Sequence, residues 1–302
     1  MNIEKSILTA LAGVIAVSSG MSYVRTQEER ARRLGIKGTS VLLDQEGSSI
    51  EYLYSEAETT SRTTLVLENG LGAPLECWDW IRYLLSDDFN ILCYHRSGYA
   101  RTDSRARPGQ LLEALLQHCS PQGPIVFCSH SIGSLVTGNA LAESEYLRKR
   151  ARAVVVLDGT DAVLLDADRR SRRRVERFKQ DSLRRMLGTV TGMNRWVTSP
   201  PERDVEYRPD IQRAYVSFIG SIRTIRTAQQ EYLHEPTEGQ EFLAALDLER
   251  VVLSAADNVD QQQTLADRLN ARFQAVSLSS HRSIIGKLPC AEQVATVLKE
   301  MR

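Results

Sequence analysis

The sequence carries no excess of charge of either sign. Its 38 Lys and Arg residues balance its 38 Asp and Glu residues, so the formal net charge is zero at pH 7. Bulk electrostatics therefore give no reason to expect a nucleic-acid partner, which usually requires a basic excess. Internal repeats and low-complexity tracts are absent as well. The chain has 302 residues, 42% of them hydrophobic, which is enough for one large α/β domain or two small ones.

Cysteine is scarce, and its spacing excludes two further classes of protein. The odd number of five argues against a disulfide framework, and no C-x-x-C pair suggests a zinc site. Several of the cysteines lie in apolar runs, where a thiol packs as a small hydrophobic group. These features favour a reducing compartment, and we expect neither a metal nor an organic cofactor. The cysteines are Cys77, Cys93, Cys119, Cys128 and Cys290.

A long, apolar and uncharged stretch lies near the N-terminus. Residues 6–24 contain no charged side chain and are long enough to cross a bilayer as a helix, although serine, threonine and glycine dilute them. Basic residues follow the stretch, whereas only Lys5 and the amino terminus precede it, and this asymmetry places the following domain in the cytoplasm. We therefore expect a membrane protein with a single-pass N-terminal anchor. A cleaved signal peptide followed by secretion, and a soluble or interfacial helix in the cytoplasm, are the alternatives.

Short apolar runs alternate with helical patterns over most of the remaining chain. This alternation predicts parallel β-α-β units, and the runs are apolar throughout, as expected when helices cover both faces of a sheet. We expect a doubly wound, mostly parallel sheet of eight strands. The predicted strands are residues 40–44, 49–54, 64–67, 89–94, 124–128, 153–157, 251–254 and 275–278.

The stretch between the sixth and seventh predicted strands is helical in character and interrupts this rhythm. It divides the chain into an N-terminal segment and linker (1–38), an α/β core (39–160 and 247–302) and an inserted helical cap (161–246). The insertion contains an arginine-rich run over residues 169–185. Such a run is commonly a solvated helix face, here interleaved with Glu176 and Asp181. Contact with anionic lipid head groups or an acidic substrate is the functional alternative.

The fifth predicted strand runs directly into S-H-S-I-G, and a predicted helix follows. A reactive serine at the apex of a strand-to-helix turn needs small residues two positions before and after it, because the two backbones nearly touch. Gly133 fills the second position, and Ser129 replaces the more common glycine at the first. This context makes Ser131 a candidate nucleophile. The alternative is an ordinary turn in which the serine only caps the helix.

A nucleophilic serine needs a histidine that accepts its proton and an acid that orients the histidine. His281 directly follows the last predicted strand, at the sheet edge where open α/β sheets bind ligands. The acid should lie between the serine and the histidine in the chain. Asp257 is the first choice, Asp260 the second and Asp158 the third. His130 is expected to pack beside the nucleophile and not to react.

Attack on a carbonyl also requires donors for the developing oxyanion. The backbone N–H of Ile132, directly after the candidate nucleophile, supplies one donor. The loop E-N-G-L-G after the third predicted strand supplies the other, because its glycines allow the backbone to bend. We expect the N–H of Leu71 to be that second donor.

From about residue 40 onward, these motifs together resemble the α/β-hydrolase family. The resemblance rests on E-N-G-L-G, Y-H-R-S-G-Y-A-R-T-D, S-H-S-I-G-S, S-A-A-D-N-V-D and S-L-S-S-H, and the order Ser131, Asp257, His281 is the family's order. Ser129 departs from the usual glycine, and His95 from the usual aspartate after the fourth strand. Members of the family that are esterases, lipases, thioesterases or peptidases carry serine at the apex of this strand-to-helix turn. Haloalkane dehalogenases and epoxide hydrolases carry aspartate there.

The resemblance implies a serine hydrolase of the esterase and lipase kind with a helical cap. It would cleave a carboxylic ester of a small, lipophilic acyl substrate, with contact to membrane lipid, through an acyl-enzyme and without a cofactor. A thioesterase or small-peptide hydrolase on the same residues is the alternative. A non-catalytic, membrane-tethered binding protein with this fold is the alternative from another class. The sequence indicates no oligomeric state.

Overall fold

Eight strands form one continuous sheet at the centre of the molecule. In a computed structural model, the chain is described for residues 12–14, 16–18, 20–21, 39–44, 46–58, 62–191 and 204–302. The strand order is β1-β2-β4-β3-β5-β6-β7-β8, with β2 antiparallel to both β1 and β4 and every other pair parallel. The predicted eight-stranded, mostly parallel sheet is confirmed. The strands are β1 (Thr39–Leu43), β2 (Ser49–Ser55), β3 (Thr64–Glu68), β4 (Asn90–Tyr94), β5 (Ile125–His130), β6 (Ala151–Leu157), β7 (Glu249–Ala255) and β8 (Arg272–Val276).

Helices connect the parallel strands and cover both faces of the sheet. A 3-10 turn over Leu75–Trp78 leads directly into the helix that begins at Asp79. These are α1 (Asp79–Leu85), α2 (Pro108–Cys119), α3 (Gly133–Glu143), α4 (Glu145–Arg150), α5 (Ala162–Arg170), α6 (Arg172–Thr191), α7 (Pro209–Ile219), α8 (Ile222–His234), α9 (Gly239–Ala245), α10 (Val259–Leu269), α11 (Ser283–Gly286) and α12 (Leu288–Glu300).

The core consists of two apolar layers, one on each face of the sheet. On one face, α1 and α12 contribute residues such as Ile81 and Leu298, and the turn before α1 contributes Trp78. On the other face, α2, α3 and α10 contribute residues such as Leu112 and Leu265. Every residue of β3, β4 and β5 is buried, which explains why those runs are apolar without alternation.

The last strand of the sheet begins and ends earlier in the chain than the sequence predicts. The strand predicted at residues 275–278 is observed as β8 at Arg272–Val276, because α10 ends at Leu269 and the chain enters the sheet three residues later. Asn270 follows the helix with a left-handed backbone (φ 49°), a common way to end a helix. As an edge strand, β8 exposes most of its side chains, so its residues carry little apolar signal. Leu278, predicted inside the strand, lies beyond it with φ 56° and 94% of its surface exposed.

The helices α5–α9 lie between β6 and β7, which are neighbours in the sheet. We call them the insertion helices. Several polar contacts join this part of the chain to the sheet domain. Tyr207 donates to the carbonyl of Cys77 at 3.2 Å, and Arg208 forms an ion pair with the buried Asp79. The finer division of the chain at residues 161 and 246 stays a prediction.

The predicted membrane anchor is wrong. Most of residues 6–24 lie outside the described residues, and no helix in the described part of the chain is long and apolar enough to cross a membrane. The physical reason is visible in the composition of the segment. Serine, threonine and glycine interrupt its apolar residues, and such residues weaken the tendency of a segment to enter a bilayer.

The five cysteines are free thiols in different environments. Cys93 and Cys128 lie in the central strands β4 and β5 and are fully buried. Burial raises the pKa of Cys93 to about 12. Cys119, at the end of α2, is only partly buried, and burial raises its pKa to about 11. None of these three thiols is therefore ionised at neutral pH.

Candidate active site

A sharp turn between β5 and α3 presents Ser131 at the carboxyl edge of the sheet. Ser131 has a left-handed backbone (φ 56°), which is uncommon for a residue with a side chain and marks local strain. Hydrogen bonds hold the turn in place. The N–H of Ser131 donates to the carbonyl of Leu157 at 3.1 Å, and its own carbonyl accepts from the N–H of Thr160, also at 3.1 Å. The serine is thus fixed between the ends of β5 and β6.

The residues that flank the turn explain its small-residue requirement. A Cβ atom on Gly133 would lie 2.7 Å from the carbonyl oxygen of Asn69 and 2.8 Å from that of Glu68, so α3 can approach β3 only with glycine there. Ser129 occupies the other position, fully buried, with its Oγ 2.6 Å from Oγ1 of Thr137 on α3. The unusual serine thus joins the strand to the helix by a hydrogen bond that glycine cannot form.

His281 lies between Ser131 and an aspartate. Its Nε2 is 3.1 Å from the Oγ of Ser131, and its Nδ1 is 2.5 Å from Oδ2 of Asp158. Both distances are within hydrogen-bond reach, so the three side chains form a continuous chain of contacts. The structure therefore brings together Ser131 and His281, the two residues that the sequence predicted as nucleophile and base.

The acid in this arrangement is not the first choice from the sequence. Asp257 lies in the loop after β7, is exposed, and makes no hydrogen bond to His281. Asp260, the second choice, lies in the first turn of α10 and is exposed as well. Asp158, the third choice, directly follows β6 and contacts the ring. Asp158 lies beside the serine turn because β6 pairs with β5, and donors from Ala255 and Asn258 hold its carboxylate toward the ring.

Asp158 is held in one orientation by several donors. Its side chain is 1% exposed, and its backbone is left-handed (φ 44°). Its Oδ1 accepts from the N–H of Ala255 at 3.2 Å and from the side-chain amide of Asn258 at 3.1 Å. Burial alone raises the pKa of Asp158, but the hydrogen bond and positive field of His281, together with these donors, outweigh it and lower the pKa below its ordinary value. Asp158 is therefore a carboxylate at neutral pH.

His130 contacts the same loop from the side. Its Nε2 is 2.6 Å from the carbonyl oxygen of His281, and the two rings lie 4.7 Å apart. Burial and the field of His281 lower the pKa of His130 to about 3, so the ring is neutral and its Nε2–H donates to that carbonyl. Sequence reasoning expected a packing residue here. The contact shows that His130 also anchors the backbone that carries His281.

The loop after β3 passes close to the serine turn. A Cβ atom on Gly70 would lie 2.7 Å from Nδ1 of His130 and 3.3 Å from Cβ of Ser131, so only glycine allows this approach. Leu71 follows Gly70 and packs against the apolar cluster of Ile132, Leu135 and Leu165. Among the described residues, neither Leu71 nor Ile132 donates its N–H to an acceptor. Ile132 follows Ser131 in the chain, Leu71 lines the same cavity as Ser131, and the amides of both predicted oxyanion donors are available.

A buried arginine holds this loop from behind. Arg96, which follows β4, donates to the carbonyl of Asn69 at 2.6 Å and to that of Gly70 at 3.2 Å. Its guanidinium also forms ion pairs with Glu68 at 2.6 Å and with Glu231 at 2.5 Å. Burial alone lowers the pKa of Arg96, but these two carboxylates raise it well above its ordinary value. Sequence reasoning missed this residue, because its role depends on contacts between distant segments.

Glu231 makes this cluster a link between α8 and the loop. Its second carboxylate oxygen accepts from the hydroxyl of Tyr99 at 2.7 Å, and that hydroxyl accepts from the N–H of Gly72 at 3.2 Å. The carboxylate is therefore connected through Arg96 to Asn69 and Gly70, and through Tyr99 to Gly72. We call Arg96, Tyr99 and Glu231 the loop clamp.

A cavity of about 300 Å³ opens above Ser131. One side is formed by the loop after β3, the serine turn and His281. The insertion helices α6, α7 and α8 form much of the opposite side. Its apolar lining residues include Leu71, Val205, Ile219, Ile225 and Ile285. In the described ranges, no group of three or more His, Cys, Asp and Glu side chains is arranged to hold a metal ion.

No family model matches the chain. An uncharacterized protein of Bacillus subtilis, YqjL, is 33% identical over 85 residues, which are 26% of this chain and 34% of that protein. The matched stretch thus spans about a third of the length of this curated relative.

Solved structures align over most of the chain at low identity. A thermophilic esterase from Thermogutta terrifontis is 16% identical, with a TM-score of 0.62, and the match covers 87% of this chain and 97% of that one. An esterase from Rhodococcus is 16% identical with a TM-score of 0.62, over 88% and 100% of the two chains. An enol-lactonase from Burkholderia xenovorans is 17% identical with a TM-score of 0.59, over 87% and 99%. The chain has the α/β-hydrolase fold, and the resemblance seen in the sequence is confirmed.

Proposed function

We propose that this protein is a serine hydrolase that cleaves a carboxylic ester through an acyl-enzyme. The observation that carries the proposal is the chain of contacts from Ser131 Oγ to His281 Nε2 at 3.1 Å and from His281 Nδ1 to Asp158 Oδ2 at 2.5 Å. A serine hydroxyl becomes a useful nucleophile when a histidine accepts its proton and an acid orients that histidine. The esterases and the lactonase among the similar structures support the same reaction class.

In this proposal, the first half of the reaction forms the acyl-enzyme. Ser131 Oγ attacks the ester carbonyl, and His281 Nε2 accepts the hydroxyl proton. Asp158 accepts a hydrogen bond from Nδ1–H, fixes that tautomer and stabilises the imidazolium. The N–H groups of Leu71 and Ile132 donate to the oxyanion, helped by the positive end of α3. His281 then protonates the alcohol oxygen, the C–O bond breaks and the alcohol leaves.

The second half repeats these roles with water. His281 removes a proton from water, the resulting hydroxide attacks the acyl carbonyl, and Ser131 leaves with a proton returned by His281. The apolar lining of the cavity suits the acyl chain of a small-molecule substrate. The insertion helices then serve as the cap of the site. Lipid contact by the arginine run and the absence of a cofactor stay predictions.

The direct test is covalent labelling by a fluorophosphonate probe, which reacts with activated serines. We expect the wild-type protein to be labelled at Ser131, as mapped by mass spectrometry of the labelled peptide. Ser131→Ala and His281→Ala should both lose the label while keeping their circular dichroism spectra. Absence of label on well-folded wild type would contradict the proposal and favour a non-catalytic binding protein. If labelling succeeds, matched oxygen-ester, thioester and peptide substrates distinguish an esterase from a thioesterase or peptidase.

A further inference from the structure

The cavity above Ser131 contains hydroxyl groups that the described part of the protein does not use. Three of the hydroxyls in its lining have a partner: Ser131 contacts His281, Tyr207 donates to a backbone carbonyl, and Thr224 accepts from a neighbouring hydroxyl. The other two, on Tyr215 and Ser182, make no hydrogen bond to a described residue. The lining residues that carry a hydroxyl are Ser131, Ser182, Tyr207, Tyr215 and Thr224.

Tyr215 lies on α7, and only 6% of its surface is exposed. Its ring packs against that of Tyr207, with the two centroids 5.3 Å apart, so the hydroxyl is carried on a fixed ring at the cavity wall. Burial raises the pKa of Tyr215 to about 12, so the hydroxyl keeps its proton at neutral pH and can donate it in a hydrogen bond. Most buried polar groups in native proteins are paired, and an unpaired one costs free energy.

Ser182 lies on α6 and is also 6% exposed. A hydroxyl on a helix commonly donates to the carbonyl four residues earlier. Thr189 and Thr191 on the same helix do so, at 3.0 Å and 2.8 Å. Ser182 makes no such bond and lines the cavity instead. Two of the insertion helices therefore each bring one buried donor to the cavity wall.

The rest of that wall is largely apolar, which makes the two hydroxyls selective. A substrate chain that fills the cavity displaces water from both of them. If the chain is purely hydrocarbon, two buried donors are left unpaired, and the complex is weakened. An oxygen atom in the chain accepts from the hydroxyls and avoids this cost. Sites built to form hydrogen bonds discriminate strongly against analogues that lack the matching group.

We propose that the ester cleaved at Ser131 carries a second oxygen function away from the scissile bond, a hydroxyl, ether or carbonyl oxygen, which accepts hydrogen bonds from Tyr215 and Ser182. This inference rests on the proposed hydrolase function and narrows it from lipophilic esters in general to oxygenated ones. Tyr215→Phe and Ser182→Ala each remove one hydroxyl. Tyr207→Phe is the matched control, because Tyr207 lines the same cavity while its hydroxyl donates to the Cys77 carbonyl at 3.2 Å.

The test compares pairs of esters of equal length in which an ether oxygen replaces one methylene group. On the acyl side, the pairs are the para-nitrophenyl esters of hexanoic and heptanoic acid and their analogues with oxygen in place of the carbon next to the chain end. On the alcohol side, the pair is pentyl acetate and the analogue with the same replacement in the pentyl chain. For each pair, the ratio of kcat/KM for the oxygenated to the hydrocarbon ester is measured in wild type and in the three variants.

We expect wild type to favour the oxygenated member of at least one pair. Tyr215→Phe and Ser182→Ala should each lower that ratio about fivefold, as for the loss of one hydrogen bond between uncharged groups. Tyr207→Phe should keep the wild-type ratio. The proposal would be overturned by a wild-type ratio of one or less in every pair, by an unchanged ratio in either Tyr215→Phe or Ser182→Ala, or by an equal fall in all three variants.

Two further measurements do not depend on turnover. In urea unfolding, Tyr215→Phe should keep the wild-type midpoint, whereas Tyr207→Phe should lower it because the donor to the Cys77 carbonyl is lost. Equal losses would show that the Tyr215 hydroxyl has a partner within the protein, and would overturn the proposal. Calorimetry measures binding of the same esters to Ser131→Ala. Equal affinity for both members of each pair would also overturn it, whereas absence of hydrolysis by wild type alone would contradict only the hydrolase function.

Discussion

At the scale of single residues, the identity of the acid is the sharpest question, because the sequence offers three candidates, Asp158 after β6 and Asp257 and Asp260 after β7. The contact of Asp158 with His281 predicts that Asp158→Asn reverses the tautomer preference of the ring and lowers kcat/KM by about a thousandfold or more. Asparagine tolerates a left-handed backbone, so the variant keeps the φ of 44° without added strain. The measurement is ester hydrolysis by purified variants with matched circular dichroism spectra.

Asp257→Asn is the control for that experiment. Asp257 is exposed and makes no contact with His281, so the variant should retain wild-type kcat/KM within about twofold. The reverse result, with Asp257→Asn inactive and Asp158→Asn active, would show that the loop after β7 rearranges and that the sequence prediction was right.

The sequence could identify Ser131 and His281 because each follows an apolar run and lies in a recognisable motif. It could not identify the acid, because β6 and β7 both end in an apolar run followed by an aspartate. Adjacent strands lie about 5 Å apart, so a carboxylate at the end of either strand can reach the same histidine. Which aspartate contacts His281 depends on the backbone direction at Asp158 and on the hydrogen bonds that Ala255 and Asn258 donate to it. No sequence pattern predicts these features.

At the scale of elements, the loop clamp connects α8 to the loop that carries the Leu71 amide. Replacing Glu231 with glutamine keeps the shape of the side chain but removes one of the two carboxylates that pair with Arg96. We expect kcat to fall about tenfold with little change in KM, because a displaced oxyanion donor weakens transition-state binding more than substrate binding. The free energy of unfolding should fall by about 1–3 kcal/mol, as for a lost buried charged hydrogen bond.

The matched control for the clamp is Glu145→Gln, which removes an exposed ion pair with Lys149 on α4. That change should leave kcat, KM and stability nearly unaltered. Steady-state kinetics and urea unfolding of the two variants provide the comparison. A Glu231→Gln protein that loses stability but keeps the wild-type kcat would show that the clamp is structural only.

The serine turn leads to a second prediction at this scale. Gly133→Ala places a methyl group 2.7 Å from the carbonyl oxygen of Asn69, and this backbone atom cannot move aside without shifting the loop after β3. We expect a loss of about 1–3 kcal/mol in unfolding free energy, as for other overpacked sites, together with reduced ester hydrolysis. Gly13→Ala is the control, because nothing lies within 4 Å of the methyl group that alanine would add there. Unchanged thermal unfolding of Gly133→Ala would contradict this account of the turn.

The order and type of the central elements were predictable because their apolar runs are buried on both faces. The ends of the sheet were not, since β8 is an exposed edge strand and its boundary is set by Asn270. The packing of the insertion helices over Ser131 was also beyond the sequence. The contacts of this part of the chain, such as Arg96 with Glu231 on α8 and Tyr207 before α7 with the Cys77 carbonyl, join positions more than 100 residues apart.

At the scale of the whole molecule, the partly buried carboxyl of Glu235 makes stability depend on pH. Burial, followed by the field of Glu231, raises the pKa of Glu235 to about 7. The unfolded chain loses this proton near the ordinary value of 4.5, whereas the folded chain keeps it until about pH 7. Stability contributed by the protonated form is therefore present below pH 4.5 and is lost as the pH rises through 7.

Glu235→Gln removes this titration while keeping a side chain that can accept the hydrogen bond from Asn139. We expect the variant to be more stable than wild type at pH 8, by on the order of 1–3 kcal/mol, and the difference to shrink toward pH 5. Urea unfolding between pH 5 and 8 measures it. If the difference in unfolding free energy between Glu235→Gln and wild type does not change with pH, Glu235 does not carry this proton.

The burial of Cys93 and Cys128 in the central strands has a practical consequence for following how the molecule opens. A thiol reagent reaches these two sulfurs only when the sheet separates, whereas Cys119, at the end of α2, becomes accessible when that helix end frays. The labelling rate of each thiol under native conditions therefore reports the free energy of a different opening event. These native cysteines therefore distinguish local fluctuation from global unfolding without any engineered label.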